Sequence, residues 1–167
     1  DVQALTDILR DYGEEKFAYR IACNIVKERE KSPICTTLEL SDIISNSVPA
    51  AVRRDGHPAR KSFQALRIAV NQEFEAETTG ITAAFDMLKP GGRLCVITFH
   101  SLEDRLVKNM FEAFSKGCVC PPEIPICVCG RKPRGKLVTR KPIIPSDNEI
   151  KENARSRSAK LRVIEKL

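Results

Sequence analysis

Apolar residues recur at helical spacing from the start of the chain. Val2, Leu5, Ile8, Leu9 and Tyr12 predict a first helix, and Gly13 reads as its stop. A second helix is expected over 14–29, with Phe17, Ile21 and Ile25 in one row and Ala18, Ala22 and Val26 beside them. The pair predicts a helical hairpin. Thr36 followed by Glu39 is a capping box, and Leu40, Ile43 and Ile44 give the stripe of a third helix ending near Pro49. Residues 48–61 are polar and punctuated by Gly and Pro, as a loop would be. Beyond them Phe63, Leu66, Val70 and Phe74 predict one face of a longer helix, and 81–88 a further helical stretch.

At Lys89 the pattern changes. Lys89-Pro90-Gly91-Gly92 is a breaker cluster, and Arg93 to Phe99 is β-rich without alternation, as expected of a strand covered on both faces in a parallel sheet. Ser101 with Asp104 three residues on predicts the cap of a helix whose stripe is Leu102, Leu106, Met110 and Phe114. A short strand over 136–139, a Ser146/Glu149 capping box and an alternating final strand (Ala159, Leu161, Val163) follow. The order of elements is α/β.

Charge is unevenly placed along the chain. The net charge is +6, yet residues 116–167 carry 13 basic against 5 acidic groups while residues 1–50 carry 6 against 9. A basic last third favours a polyanionic partner through counterion release, although a solvated surface has the same composition. The longest apolar run, Leu94 to Phe99, is far short of the roughly 20 residues that span a bilayer, so no membrane is expected. The chain opens without Met, directly into a helical pattern, which predicts a piece of a longer product.

Seven cysteines in a chain without a leader pattern favour a reducing compartment. Cys23, Cys35 and Cys95 lie singly in apolar patterns and read as buried small hydrophobes. Cys118, Cys120, Cys127 and Cys129 form two C-x-C pairs within a Cys- and Pro-rich loop over 117–130. Four soft ligands suit a structural, tetrahedral Zn2+, while reduced surface thiols or disulfides formed on oxidation are the alternatives.

LKPGGRLCVITF (Leu88 to Phe99) resembles the turn into the fifth sheet strand of class I methyltransferases. YGEEKFAYRIA (Tyr12 to Ala22), HPARKSFQALRIAVNQE (His57 to Glu73), TFHSLEDRLVK (Thr98 to Lys108) and NARSRSAKLRVIEK (Asn153 to Lys166) resemble, in order, motifs of the MraW family of small-subunit ribosomal RNA methyltransferases. The resemblance covers nearly the whole chain. It implies a cytoplasmic bacterial enzyme that uses S-adenosylmethionine to methylate the exocyclic N4 of a cytidine in 16S rRNA. On this reading residues 1–88 are an all-helical insert domain, and 89–167 are the C-terminal part of a Rossmann-like class I methyltransferase domain. The implied partners are 16S rRNA or the small ribosomal subunit, with a homodimer left open. The Gly-rich turn and acidic segments that hold the cofactor in the family have no counterpart here, so no cofactor-binding residue is assigned and the fragment alone is expected to be inactive. Ala154 stands where the family usually has proline, and Glu75 to Thr79 is more polar than its pattern.

His100, Ser101, Glu103, Asp104, Arg105 and Lys108 follow a strand's carboxyl end, where open α/β sheets place ligands, and are the candidates to face an active site. Each also has a plainer reading as helix cap or solvated face. His57, Arg60, Lys61, Arg67 and Asn71 are candidates for RNA contact or for an interdomain polar network. Arg67 and Asn71, four apart, could both reach one group. Arg155, Arg157, Lys160 and Arg162 are basic candidates for RNA, with Arg157 and Ser158 equally able to fix the last strand. Two rival readings remain at this level: a stand-alone RNA-binding or zinc-stabilised module without catalysis, and an inert interaction fragment with an exposed sheet edge.

Overall fold

A computed structural model describes residues 1–54, 57–118, 120, 126 and 129–167, which form two compact units, Asp1–Glu73 and Phe74–Leu167. The first unit is helical: α1 (Val2–Gly13), α2 (Ala18–Lys31), α3 (Thr37–Ser47), the short α4 (Ala50–Arg54) and α5 (Arg60–Asn71). Its core gathers Leu9, Ala18, Ile21, Ala22, Ile25, Ile44, Val48, Ala59 and Ala65. The Ile21/Ile25 row, the hairpin of α1 and α2 and the Thr36/Glu39 capping box are all present as the spacing predicts. The expected loop, by contrast, contains α4.

Two expectations for this unit are corrected. Gly13 is not the stop of α1 but its last helical residue, and the left-handed cap falls on Glu14. Gly13 is required for another reason: a Cβ there would lie 2.8 Å from the Lys61 carbonyl oxygen and 3.2 Å from the Ala65 Cβ, so its missing side chain is what lets α5 approach α1. The face of α5 follows from this. Ser62, Ala65 and Ile68 are buried, Phe63 and Leu66 only partly, and Val70 is exposed, because small residues make the close contact that a Phe/Leu/Val stripe would prevent.

The second unit holds α6 (Glu73–Met87, from Phe74 onward), β1 (Arg93–Thr98), α7 (Ser101–Ser115), β2 (Gly135–Leu137), α8 (Asp147–Glu152), a 3-10 turn (Ala154–Ser158) and β3 (Lys160–Lys166). The sequence reading ends the helical part at 88. The contact division falls earlier because Ile81 and Phe85 of α6 are buried with Val107, Phe111 and Ile164 of the sheet unit.

The sheet has the order β1-β3-β2 and is antiparallel throughout, with Cys95 opposite Val163 and Leu137 opposite Ile164. This corrects the parallel sheet expected around β1. It also corrects the absence of alternation: Leu94 and Val96 pack on the helix side, while Arg93, Cys95 and Ile97 are exposed on the other face. Cys95 is therefore exposed; in the helical unit Cys35 is also exposed and Cys23 half-buried, so none of the three is buried as expected. In α7 the buried line runs through Leu102, Val107 and Phe111, with Leu106, Met110 and Phe114 at its margin. Phe85 stacks on Phe114 at 4.3 Å between ring centroids, and the Lys166 ammonium sits 4.4 Å above the Phe85 ring. No helix among the described residues is long and apolar enough to cross a membrane.

Replacing Gly13 by alanine in the intact protein should destabilise it by roughly 1–3 kcal/mol, the usual cost of overpacking. Urea unfolding measures this, and a change below about 0.5 kcal/mol would mean that α1 and α5 separate freely to admit a methyl group.

Candidate functional site

The strand-end segment sits where the sequence places it, between the carboxyl end of β1 and the first turn of α7. The cap itself is a correction. His100, not Ser101, is the N-cap: its backbone is extended, its Nδ1 accepts from the Glu103 amide at 3.2 Å, and Ser101 is already helical. Glu103 completes the box, its Oε2 accepting from the Phe99 amide at 2.8 Å and the His100 amide at 3.2 Å. Two carboxylates in the first turn, Glu103 and Asp104, also suit the positive end of the helix dipole.

This arrangement fixes the His100 tautomer. Because Nδ1 accepts, the neutral imidazole carries its proton on Nε2. Nε2 is buried, lies 3.0 Å from Glu103 Oε1 without hydrogen-bond alignment, and has no hydrogen-bond partner among the described residues. The Phe74 ring lies 6.2 Å away, tilted against the imidazole. A buried donor left over at a strand's carboxyl end is suited to hold an acceptor.

Asp104 does different work. Its carboxylate takes Arg162 Nε at 2.6 Å and Nη2 at 3.1 Å, and Lys160 Nζ at 3.2 Å. The hydrogen bond from Arg162 holds the carboxyl below the usual aspartate range, against the burial that opposes ionisation. Asp104 is thus neither Ser101's capping partner nor an open carboxylate. Lys108 pairs loosely with Glu112 at 3.7 Å, and Ser101, Arg105 and Lys108 are exposed.

The structure brings Arg67 and Asn71 together, as their spacing allows, and the group they meet belongs to the chain. Arg67 donates to Glu73 through Nε at 2.8 Å and Nη2 at 3.0 Å, and Asn71 Nδ2 donates to Oε1 of the same carboxylate at 3.2 Å. Spacing could not reveal this partner, since Glu73 lies past the left-handed turn at Gln72. Lys61 reaches the Glu14 carbonyl at 3.4 Å, while His57 and Arg60 are exposed. In the second unit Arg155 and Arg157 are exposed on the 3-10 turn, whereas Lys160 and Arg162 are tied to Asp104. Missed by sequence reading was Arg134, which pairs with Asp86 and lies 5.5 Å from the Phe85 and 5.4 Å from the Phe114 ring centroids. A groove between α2 and α3, lined by Asn24, Glu28, Asp42, Ile43 and Asn46, is acidic and suits no polyanion.

Cys118, Cys120 and Cys129 bring their Sγ atoms within 4.8 Å of one another. Cys127, the fourth member of the sequence pattern, lies outside the described residues.

Comparison with known proteins matches residues 1–167 to the MraW methylase family. Among similar proteins, the ribosomal RNA small subunit methyltransferase H of Carboxydothermus hydrogenoformans is 55% identical over 163 residues, 98% of this chain and 52% of the relative. The protein of the same name from Brevibacillus brevis is 55% identical over 168 residues, 100% of this chain and 54% of the relative. That from Lachnospira eligens is 53% identical over 161 residues, 96% and 51%. The chain therefore spans about half the length of the curated relatives it matches.

The Asp104 pair gives a pH dependence with a defined sign. Its folded-state pKa is lowered, so its stabilisation is present above the ordinary aspartate value of about 3.9 and is lost as the pH falls through the lower folded value. Asp104→Asn should remove this acid limb and cost about 3–5 kcal/mol, because Arg162 stays buried without its counter-charge. Urea unfolding between neutral pH and pH 2 tests both parts, and an Asn variant with unaltered stability and acid response would refute them.

Proposed function

The chain belongs to the MraW methylase family, and from that membership we propose that the protein containing it transfers a methyl group from S-adenosylmethionine to the exocyclic N4 of a cytidine in 16S rRNA. The reading makes it a cytoplasmic enzyme that acts on the rRNA or on the small ribosomal subunit. It treats 89–167 as the closing part of a Rossmann-like domain and 1–88 as the helical insert, and leaves a homodimer open.

The observation that carries the site assignment is the orphaned, buried Nε2–H of His100 at the carboxyl end of β1. The described residues do not themselves fit the cofactor. His100 offers one donor, and the first turn of α7 is closed by its own capping box. The bound cofactor would supply an activated methyl group. This chain's part is to hold the acceptor base. The cytosine amine is a poor nucleophile because its lone pair is delocalised into the ring, so fixing its orientation and excluding water should dominate the rate. A neutral His100 whose Nδ1 is committed to the cap presents one fixed donor, suited to a carbonyl or ring nitrogen of the base.

Docking of the RNA falls to exposed cations. Arg155 and Arg157 suit that role best among the terminal candidates, since both are exposed on the 3-10 turn. Lys160 is the weaker choice, since Asp104 already holds it. His57, Arg60, Arg67 and Asn71 keep a secondary role, the last two by way of Glu73. Cys118, Cys120 and Cys129 are given no part in the reaction.

In the intact protein, incubated with S-adenosylmethionine and 16S rRNA or partly assembled subunits, mass spectrometry of the nucleosides should find methyl on cytidine N4. A folded protein that modifies no cytidine in either substrate would refute the proposal. His100→Ala should lower turnover more than RNA affinity. Replacing Arg155 and Arg157 together should weaken RNA binding and flatten its salt slope by about 0.7–0.9 per lost phosphate contact. Equal losses in both measurements, with melting unchanged, would show that the roles are not divided in this way. The 167 residues alone should show no micromolar binding of S-adenosylmethionine by calorimetry.

A further inference from the structure

The excursion between α7 and β2 leaves and returns at one point. The Arg134 amide donates to the Phe114 carbonyl at 2.9 Å, and the Gly117 backbone packs so tightly on Pro133 that a Cβ at 117 would lie 2.9 Å from the proline ring. The stems of the loop are thereby clamped. Inside the clamp three thiols converge from its two ends, Cys118 and Cys120 from the outgoing strand of chain and Cys129 from the returning one.

Their geometry suits a metal better than chance proximity. Zinc–sulfur bonds of about 2.3 Å arranged as a tetrahedron set neighbouring sulfurs about 3.8 Å apart. Sγ of Cys129 stands 3.8 Å from Sγ of Cys118, and all three sulfurs fall within 4.8 Å of one another. The Cys120 amide also donates to the Cys118 sulfur, N to S 3.4 Å, the kind of outer hydrogen bond that orients a ligand. Gly130, directly after Cys129, has a φ of 61°, a left-handed backbone that turns the chain sharply at the ligand and that residues with side chains seldom adopt. Three sulfurs at one point exceed what a single disulfide would use.

We propose that Cys118, Cys120 and Cys129 bind one Zn2+ that closes the loop between α7 and β2, a structural metal site separate from the strand-end segment at His100. The ion displaces the thiol protons and binds the three thiolates, which leaves one tetrahedral position for a fourth donor. No redox partner is needed. The site goes beyond the methyl-transfer reading and does not depend on it, since its readout is metal rather than activity.

The test uses the intact protein, purified anaerobically and titrated with zinc and, separately, with cobalt(II). About one zinc per chain is expected by elemental analysis, together with the intense thiolate-to-cobalt charge-transfer absorption of a tetrahedral sulfur site. Cys118→Ser, Cys120→Ser and Cys129→Ser should each lose at least about 100-fold in zinc affinity, more than the roughly 10- to 100-fold that removal of an outer-shell partner costs. Cys35→Ser, at an exposed thiol in the other unit, should retain it. Native protein with fully reduced thiols that takes up neither metal overturns the proposal whatever the variants do. Undiminished zinc binding in the Cys129→Ser variant does so as well.

Discussion

The second unit turns on one buried carboxylate. Asp104 stands in the first turn of α7 and takes three hydrogen bonds from two residues of β3, Arg162 and Lys160. Arg162 is 7% exposed, so an alternative register of β3 that carried its guanidinium away from Asp104 would leave a buried charge unpaired. A shift of one residue would do this, since it turns every side chain of the strand to the opposite face. The pair thus acts chiefly on specificity. Apolar groups of equal volume could match its stability, but would fix neither the register of Val96 opposite Arg162 nor the angle at which α7 leaves the end of β1. The His100 cap depends on that same angle, because the turn from strand to helix places Nδ1 over the Glu103 amide.

Local rules were legible wherever neighbours in sequence are also neighbours in space. The Thr36/Glu39 box, the Ile21/Ile25 row and the Ser146 cap could be read because each partner lies three or four residues away. The errors do not all share one cause. At the strand end His100, one residue before Ser101, is itself the cap and pairs locally with Glu103, while Asp104 is held by Arg162, 58 residues later. Gly13 looked like a stop because glycine often is one, but its role is set by the Lys61 carbonyl on another helix. The face of α5 was misjudged for the same reason. Volume near a close contact decided burial there, not hydrophobicity.

The strand β1 shows how a correct element can carry a wrong environment. A continuous apolar run reads as a strand covered on both faces. Here α6 and α7 cover one face through Ile81, Phe85, Val107 and Phe111, while Ile97 is 59% exposed on the other, among the described residues. Arg93, Cys95 and Ile97 alternate with the covered Leu94 and Val96, so the exposed face is mixed rather than a continuous apolar run. The run marks the strand, but covering on both faces is not found among the described residues. Its antiparallel partner, by contrast, could not be inferred from the run itself, because direction of pairing is a property of topology.

The same distinction applies to charge. Residues 1–73 carry 11 basic and 11 acidic side chains, and residues 74–167 carry 17 and 11, so the whole formal excess belongs to the second unit. Several of its cations have partners within the unit. Arg162 and Lys160 neutralise Asp104, Arg134 pairs with Asp86, and Lys166 lies over the Phe85 ring with its ammonium 3.2 Å from the Phe85 carbonyl. What stays at the surface from 131 onward includes Arg131, Lys132, Lys136, Arg140, Lys141, Arg155 and Arg157. Only such cations can exchange counterions for phosphates, because a guanidinium already paired with a buried carboxylate releases nothing when a polyanion arrives. The position of a cation therefore matters as much as its number in this unit: Arg162 and Lys160, which build the sheet's polar seam, are tied to Asp104 and not free for a polyanion.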